Sequence, residues 1–314
     1  MKSFWHHQRR SFVTVALQPG PARRAFTLVE LMTVLVIVAL LSSLTLAGLA
    51  TARQRGKIDK TRSTIRKLHE IVVPHYESYV RRRVPSANPT ARLRAIRTLV
   101  MREMPDSWGD VFSTTPQAVI NSANIDAYLK TGPVLAYAAA KQAAGMHPNF
   151  SRYGSSECLY MIVSRGGTEP DVMGQFRADE IGDIDGDGAP EFQDGWGRPI
   201  AFFRWATGYV GDLSSVQVDD PVNRHDPFDP MRREPAAFAL VPLIYSAGPD
   251  ESRNDPLTSA ASGYGLARIS EWNAIDMAAI FAAVNGDGQR PGASEVSNPR
   301  AYLDNITNHD LNTK

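Results

Sequence analysis

Three patterns of apolar and polar positions follow one another along the chain. From Phe26 to Ala50 nearly every residue is apolar, small or hydroxylated. These twenty-five residues predict one helix of about 37 Å, at ~1.5 Å per residue, long enough to cross a bilayer with some tilt. From 51 to 83 the apolar positions thin to a stripe: Ile58, Ile65, Leu68, Val72, Tyr76 and Tyr79 recur at spacings of three, four or seven. That period predicts an amphipathic continuation of the same helix, which Pro74 should kink or bring to an end. Beyond 84 the pattern breaks into short elements. Leu93, Ile96, Leu99, Val100 and Met104 predict a helix within 86–105, and 131–145 predicts another, opened by Gly132–Pro133 and closed by Gly145. The stretch 155–164 fits either a short helix capped by Ser156 or a strand over 160–163. Aromatic and β-branched runs at 198–206 and 236–247 predict strands, and 270–288 a final helix capped by Ser270. Residues 207–236 and 291–314, rich in Pro, Asp and Asn, read as loops and tail.

Helices outnumber strands and are segregated from them, so the fold class is α+β. The expected organisation is a basic leader (1–25), a membrane helix (26–50), its amphipathic continuation (51–84), a helical insertion (85–170) and a sheet domain with acidic loops (171–314). Net charge is +1, which gives no global basic field for nucleic acid. The balance is uneven: the first 25 residues hold five basic residues and no acid, and without them the charge would be −4. The acid-free leader favours a cytoplasmic N-terminus. The basic residues of 51–83 read as a solvated helix face beside a membrane. Cys158 is the lone cysteine, so an intramolecular disulfide and a Cys-rich metal site are excluded.

Glu30 is the anomaly, a carboxylate four residues into the apolar run. Such a residue costs a few kcal/mol in lipid and usually marks a partner. A cleaved secretory signal, a plain signal anchor and a processing site between Ala25 and Phe26 compete for this segment. The run is too long for the first, and a cleaved signal has no use for Glu30.

"RRAFTLVELMTVLVIVALLSSLTLAGLATAR" resembles the N-terminal methylation segment of type IV pilins and type II secretion pseudopilins. The resemblance implies cleavage by a prepilin peptidase between Ala25 and Phe26, then methylation of the Phe26 amine. It further implies an inner-membrane subunit, single-pass, with its C-terminal domain in the periplasm, joining other pseudopilin subunits in a periplasmic filament. Glu30 would meet the Phe26 amine of a neighbour and fix the register between subunits. The alternative is that Glu30 merely caps the positive end of the helix dipole, and its position together with the leader favours the assembly role. Two departures stand out: the residue before the cut is Ala25, where the family usually has Gly, and the family's mid-helix proline is absent.

"DIDGDGAPEFQD" (183–194) is patterned for a hard cation. Asp183, Asp185 and Asp187 alternate, and Gly188 permits a sharp turn at the sixth position. Ala189 offers a carbonyl, Glu191 a carboxylate through water, and Asp194 holds the twelfth place with a shorter side chain than the usual Glu. A structural calcium ion is the expected cofactor, and a bare Asp/Gly turn the alternative. "DGWGRPIAFFRW" (194–205) resembles the turn that leads into the first long strand of major pseudopilins. "IYSAGPDE" (244–251) resembles a later strand of that family, where an aspartate helps bind calcium. Asp250 matches it, and Asp255 is a candidate second ligand.

No enzyme is expected. The seven histidines form no metal or triad spacing, and no phosphate loop or nucleophile elbow is present. The competing reading is a membrane-anchored envelope binding protein that carries the leader and never polymerises.

Overall fold

The computed structural model describes residues 27–111, 131–144, 153–167, 171–205, 225–234, 239–249, 306–309 and 311. The two apolar patterns at the N-terminus form one uninterrupted helix, α1, Leu28–Ser78. Its 51 residues correspond to about 76 Å at ~1.5 Å each. Pro74 lies inside it, and the helix runs on for four residues before a 3-10 turn at Tyr79–Arg81. The lost N–H of Pro74 therefore weakens one turn without ending the helix.

The chain divides into two compact units, Met1–Thr51 and Ala52–Lys314. In the first, every large apolar side chain from Leu28 to Leu49 is exposed, between 48 and 73%. In the second, the apolar stripe of α1 is the seed of the core. Ile65, Leu68, Val72, Tyr76 and Tyr79 are buried, and Ile58 packs at the margin.

Around that stripe gather α2 (Pro89–Glu103), α3 (Trp108–Val111), α4 (Gly132–Ala144) and α5 (Gly154–Arg165). Asn88 caps α2 through its side chain, which accepts from the Ala91 N–H at 2.8 Å, and Pro89 sits at the first helical position. The ambiguous stretch 155–164 is helical. Ser156 is not its cap but a buried tether, donating to the Ile200 carbonyl at 2.7 Å.

Among the described residues two small sheets complete the unit. β1 (Ile181–Gly182) and β2 (Glu191–Phe192) form an antiparallel pair, Ile181 opposite Phe192 and Gly182 opposite Glu191. β3 (Ala201–Phe203), β4 (Leu243–Ser246) and β5 (Ile306–Thr307) form the second, in the order β3-β4-β5, antiparallel throughout. Period-2 alternation divides its faces. Phe202 and Ile244 enter the main core, while Ala201, Leu243 and Tyr245 form a smaller cluster with Phe203 on the other side.

The α+β class holds, and the insertion helices α2 and α5 share the main core with the β-strand residues Phe192, Phe202 and Ile244. The strands are shorter than the sequence runs that foretold them. Pro199 and Pro242 have no N–H for a ladder, and after Phe203 the backbone turns away so that Arg204 N donates to Asp106 at 3.2 Å. One expectation needs correcting: the tail 291–314 is not all loop, since Ile306–Thr307 pairs with β4. Asn308 explains it. Its N–H donates to the Ile244 carbonyl and its side-chain oxygen accepts from the Ile244 N–H, each at 2.9 Å. The expected helix at 270–288 and the Gly145 cap lie outside the described residues.

Candidate functional site

The N-terminal site begins at the first turn of α1. Thr27 stands at the N-cap, its hydroxyl accepting from the Glu30 N–H at 3.2 Å. The Glu30 carboxylate meets no hydrogen-bond or ion-pair partner among the described residues. Thr33, Ser43, Thr45 and Thr51 return their hydroxyls to helix carbonyls three or four residues back, so these four hydroxyls are satisfied locally. Ala25 and Phe26 lie outside the described residues.

The acidic loop 183–190 is the connection between β1 and β2. The Asp183 carboxylate organises it, accepting from the N–H groups of Gly186 (2.8 Å), Asp187 (3.1 Å) and Gly188 (3.0 Å). Gly188 has φ +90°, the turn its place in the pattern requires. Glu191, from β2, folds back to accept from the Ile184 N–H at 2.9 Å.

A fifth carboxylate enters from outside the loop. Glu157, on α5, accepts from the Trp108 indole N–H, and its Oε1 has no partner. Glu157 is 1% exposed, Glu191 0% and Asp187 7%. Glu157, Asp185 and Asp187 place carboxylate oxygens within 4.8 Å of one another, as do Asp183, Asp185 and Glu191. Asp185 belongs to both triads. Below them Ala189 shares a small apolar cluster with Trp108, Tyr137, Cys158 and Met161.

Burial, then the nearby charges of Asp187 and Asp185, push the Glu157 carboxyl up to about 8, against the indole N–H that favours its ionised form. Glu191 is likewise pushed up to about 8, by burial first and then by Asp185, Glu157 and Asp183, opposed by the Ile184 N–H. These are acids crowded in a dry place with too little positive charge.

The sequence-derived set is only partly brought together. Asp183, Asp185, Asp187 and Glu191 converge. Asp194 does not join them: its Oδ1 accepts from the Trp196 and Arg198 N–H groups at 2.7 and 3.0 Å, and its Oδ2 from Ser246 at 2.7 Å. It organises the 194–198 turn and ties that turn to β4. The N–H of Ala189 donates to Asp187 at 2.7 Å. Asp250 and Asp255 lie outside the described residues. Glu157 was missed because it sits 26 residues before the loop, in a segment whose helical character was itself undecided.

The 194–198 turn also anchors the unit to α1. Gly195 N donates to the Thr61 hydroxyl at 2.8 Å, and an added Cβ there would lie 2.3 Å from the Lys57 carbonyl oxygen. Only glycine allows so close an approach.

Residues 21–46 match the family model of the prokaryotic N-terminal methylation motif. No curated protein and no solved structure matches the chain. The motif is a type IV pilin-like leader, of the kind processed by prepilin peptidase, and the apolar helix that follows fits anchoring in a membrane.

Proposed function

We propose that the chain is a pseudopilin-like structural subunit, without catalytic activity, of a type II secretion system or a related type IV filament. Prepilin peptidase cuts between Ala25 and Phe26, and the new Phe26 amine is methylated. The apolar half of α1 holds the subunit in the inner membrane, with the 52–314 unit in the periplasm. On assembly Glu30 meets the Phe26 amine of a neighbouring subunit and fixes the axial register, while apolar helix faces pack around the pair.

The observation that carries this reading is the state of the α1 N-terminal half. Its apolar residues are exposed on every side of the helix, and Glu30 lies among them with no partner among the described residues. An isolated anchor has no need of a carboxylate there, and a charge in lipid is tolerable only when it meets an opposite one.

The test has two parts. Intact mass of the membrane-extracted protein should give a chain starting at Phe26 with one added methyl group, dependent on the peptidase. Glu30→Leu should then abolish incorporation into filaments while leaving the protein in the membrane. Wild-type protein that is processed yet never found in a filament would favour a membrane-anchored binding protein. Glu30→Leu subunits that assemble normally would end the register argument.

A further inference from the structure

The carboxylates of the acidic loop share a pattern that the filament reading does not use. Each of three buried acids commits one oxygen to a protein donor and keeps the other bare. Glu157 Oε2 takes the Trp108 indole and leaves Oε1. Asp187 Oδ1 takes the Ala189 N–H and leaves Oδ2. Glu191 Oε2 takes the Ile184 N–H and leaves Oε1. No basic side chain forms an ion pair with any of the three among the described residues. A buried carboxylate oxygen without a donor is costly, and three in one place call for a cation.

We propose that Glu157, Asp185 and Asp187, joined through Asp185 to Asp183 and Glu191, bind a hard divalent cation of the calcium type, which fastens α5 to the β1–β2 loop. All donors are carboxylate oxygens, with neither His nor Cys among them, which suits calcium and disfavours zinc. Separations within 4.8 Å let one ion touch every oxygen of a triad at ordinary calcium–oxygen distances of about 2.3–2.6 Å. Glu157 thus supplies from a helix the carboxylate that a self-contained calcium loop would place at its twelfth position, where Asp194 is occupied elsewhere. A pocket of about 150 Å³ lies against the site, its lining including Glu157, Asp187, Gly188, Trp108 and Arg165. The consequence is mechanical. A cation here joins the helical insertion to the hairpin whose next turn, at Gly195, rests on α1.

The experiment uses the full-length protein extracted in detergent and stripped with chelator. Calcium chloride is titrated by calorimetry, and thermal unfolding is followed by tryptophan fluorescence. Calcium should bind and raise the melting temperature. Partners that merely orient a metal ligand are worth about 10–100-fold in affinity, so Glu157→Gln, a direct ligand lost, should weaken binding by at least about tenfold. It should also abolish most of the melting shift. Glu157→Gln keeps the shape of the side chain and an acceptor for Trp108, so the stripped variant should fold as well as wild type. Asp194→Asn should keep wild-type calcium affinity, whatever it does to stability. Three results would overturn the proposal: no calcium binding by wild type, an unchanged titration for Glu157→Gln, or an equal response to magnesium at the same concentration.

Discussion

Arg204 offers the sharpest test of how the second unit is held together. Its side chain is fully buried, and its guanidinium donates to Asp110 at 3.0 Å, with Asp106 at 3.6 Å. It also donates to the Met101 and Met104 carbonyls at 3.3 and 3.0 Å, at the C-terminal end of α2, where helix carbonyls lack intrahelical donors. The planar group lies 4.3 Å from the Trp205 ring centre. Arg204→Met keeps most of the volume and withdraws the buried cation that Asp106 and Asp110 share. Breaking a buried pair in this way costs about 3–5 kcal/mol. For a unit of this size each kcal/mol moves the melting point by about 2–4 °C, so the fall should be roughly 6–20 °C. Tryptophan fluorescence, with Trp205 beside the lesion, reports it in the detergent-extracted chain. The triple variant Arg204→Met, Asp106→Asn, Asp110→Asn removes the acids' charges as well and should recover much of the loss, because replacing a whole buried network costs less than breaking it. A single-variant loss below about 1 kcal/mol, the scale of an exposed ion pair, would refute the reasoning. So would a triple variant no better than the single.

Two further outcomes are expected. Gly195→Ala should cost about 1–3 kcal/mol, since the new methyl meets the Lys57 backbone and no flexible side chain can yield. Gly56→Ala, with nothing within 4 Å of the new methyl, should be neutral or stabilising by up to about 1 kcal/mol, and equal melting points for the two variants would contradict this packing. Chelated protein should lose stability as pH rises. Glu157 and Glu191 hold their protons up to about 8 in the folded chain, against 4.5 when unfolded, so between those values the folded state binds more protons and alkali favours unfolding. Melting curves in chelator should fall across that window, and saturating calcium should flatten the trend; a stripped protein that gains stability from pH 5 to 8 would reverse the sign.

Much of this architecture is written locally. The apolar run, its acid and the stripe from Ile58 to Tyr79 determine α1, because a helix repeats every 3.6 residues and its burial can be read from that period. Asn88–Pro89 fixes the start of α2 by chemistry confined to one turn. The Asp183–Asp185–Asp187 alternation with Gly188 fixes the loop for the same reason: its hydrogen bonds close within five residues.

The tertiary structure decided what separate segments do to one another. Glu157 is an unremarkable acid of a short helix until α5 packs on the β1–β2 hairpin and brings its carboxylate to Asp185 and Asp187. Asp194 looks like the last ligand of a calcium loop, yet Ser246, 52 residues later, and the 194–198 turn take its oxygens. Arg204 finds its acids 94 and 98 residues earlier in the sequence. Two residues of an apparently structureless tail become β5 because Asn308 supplies the hydrogen bonds that Ile244 lacks. Periodicity says which face of an element will be buried. It carries no term for the partner of a buried charge, since that is set by how the elements pack, and packing brings together residues that no local window spans.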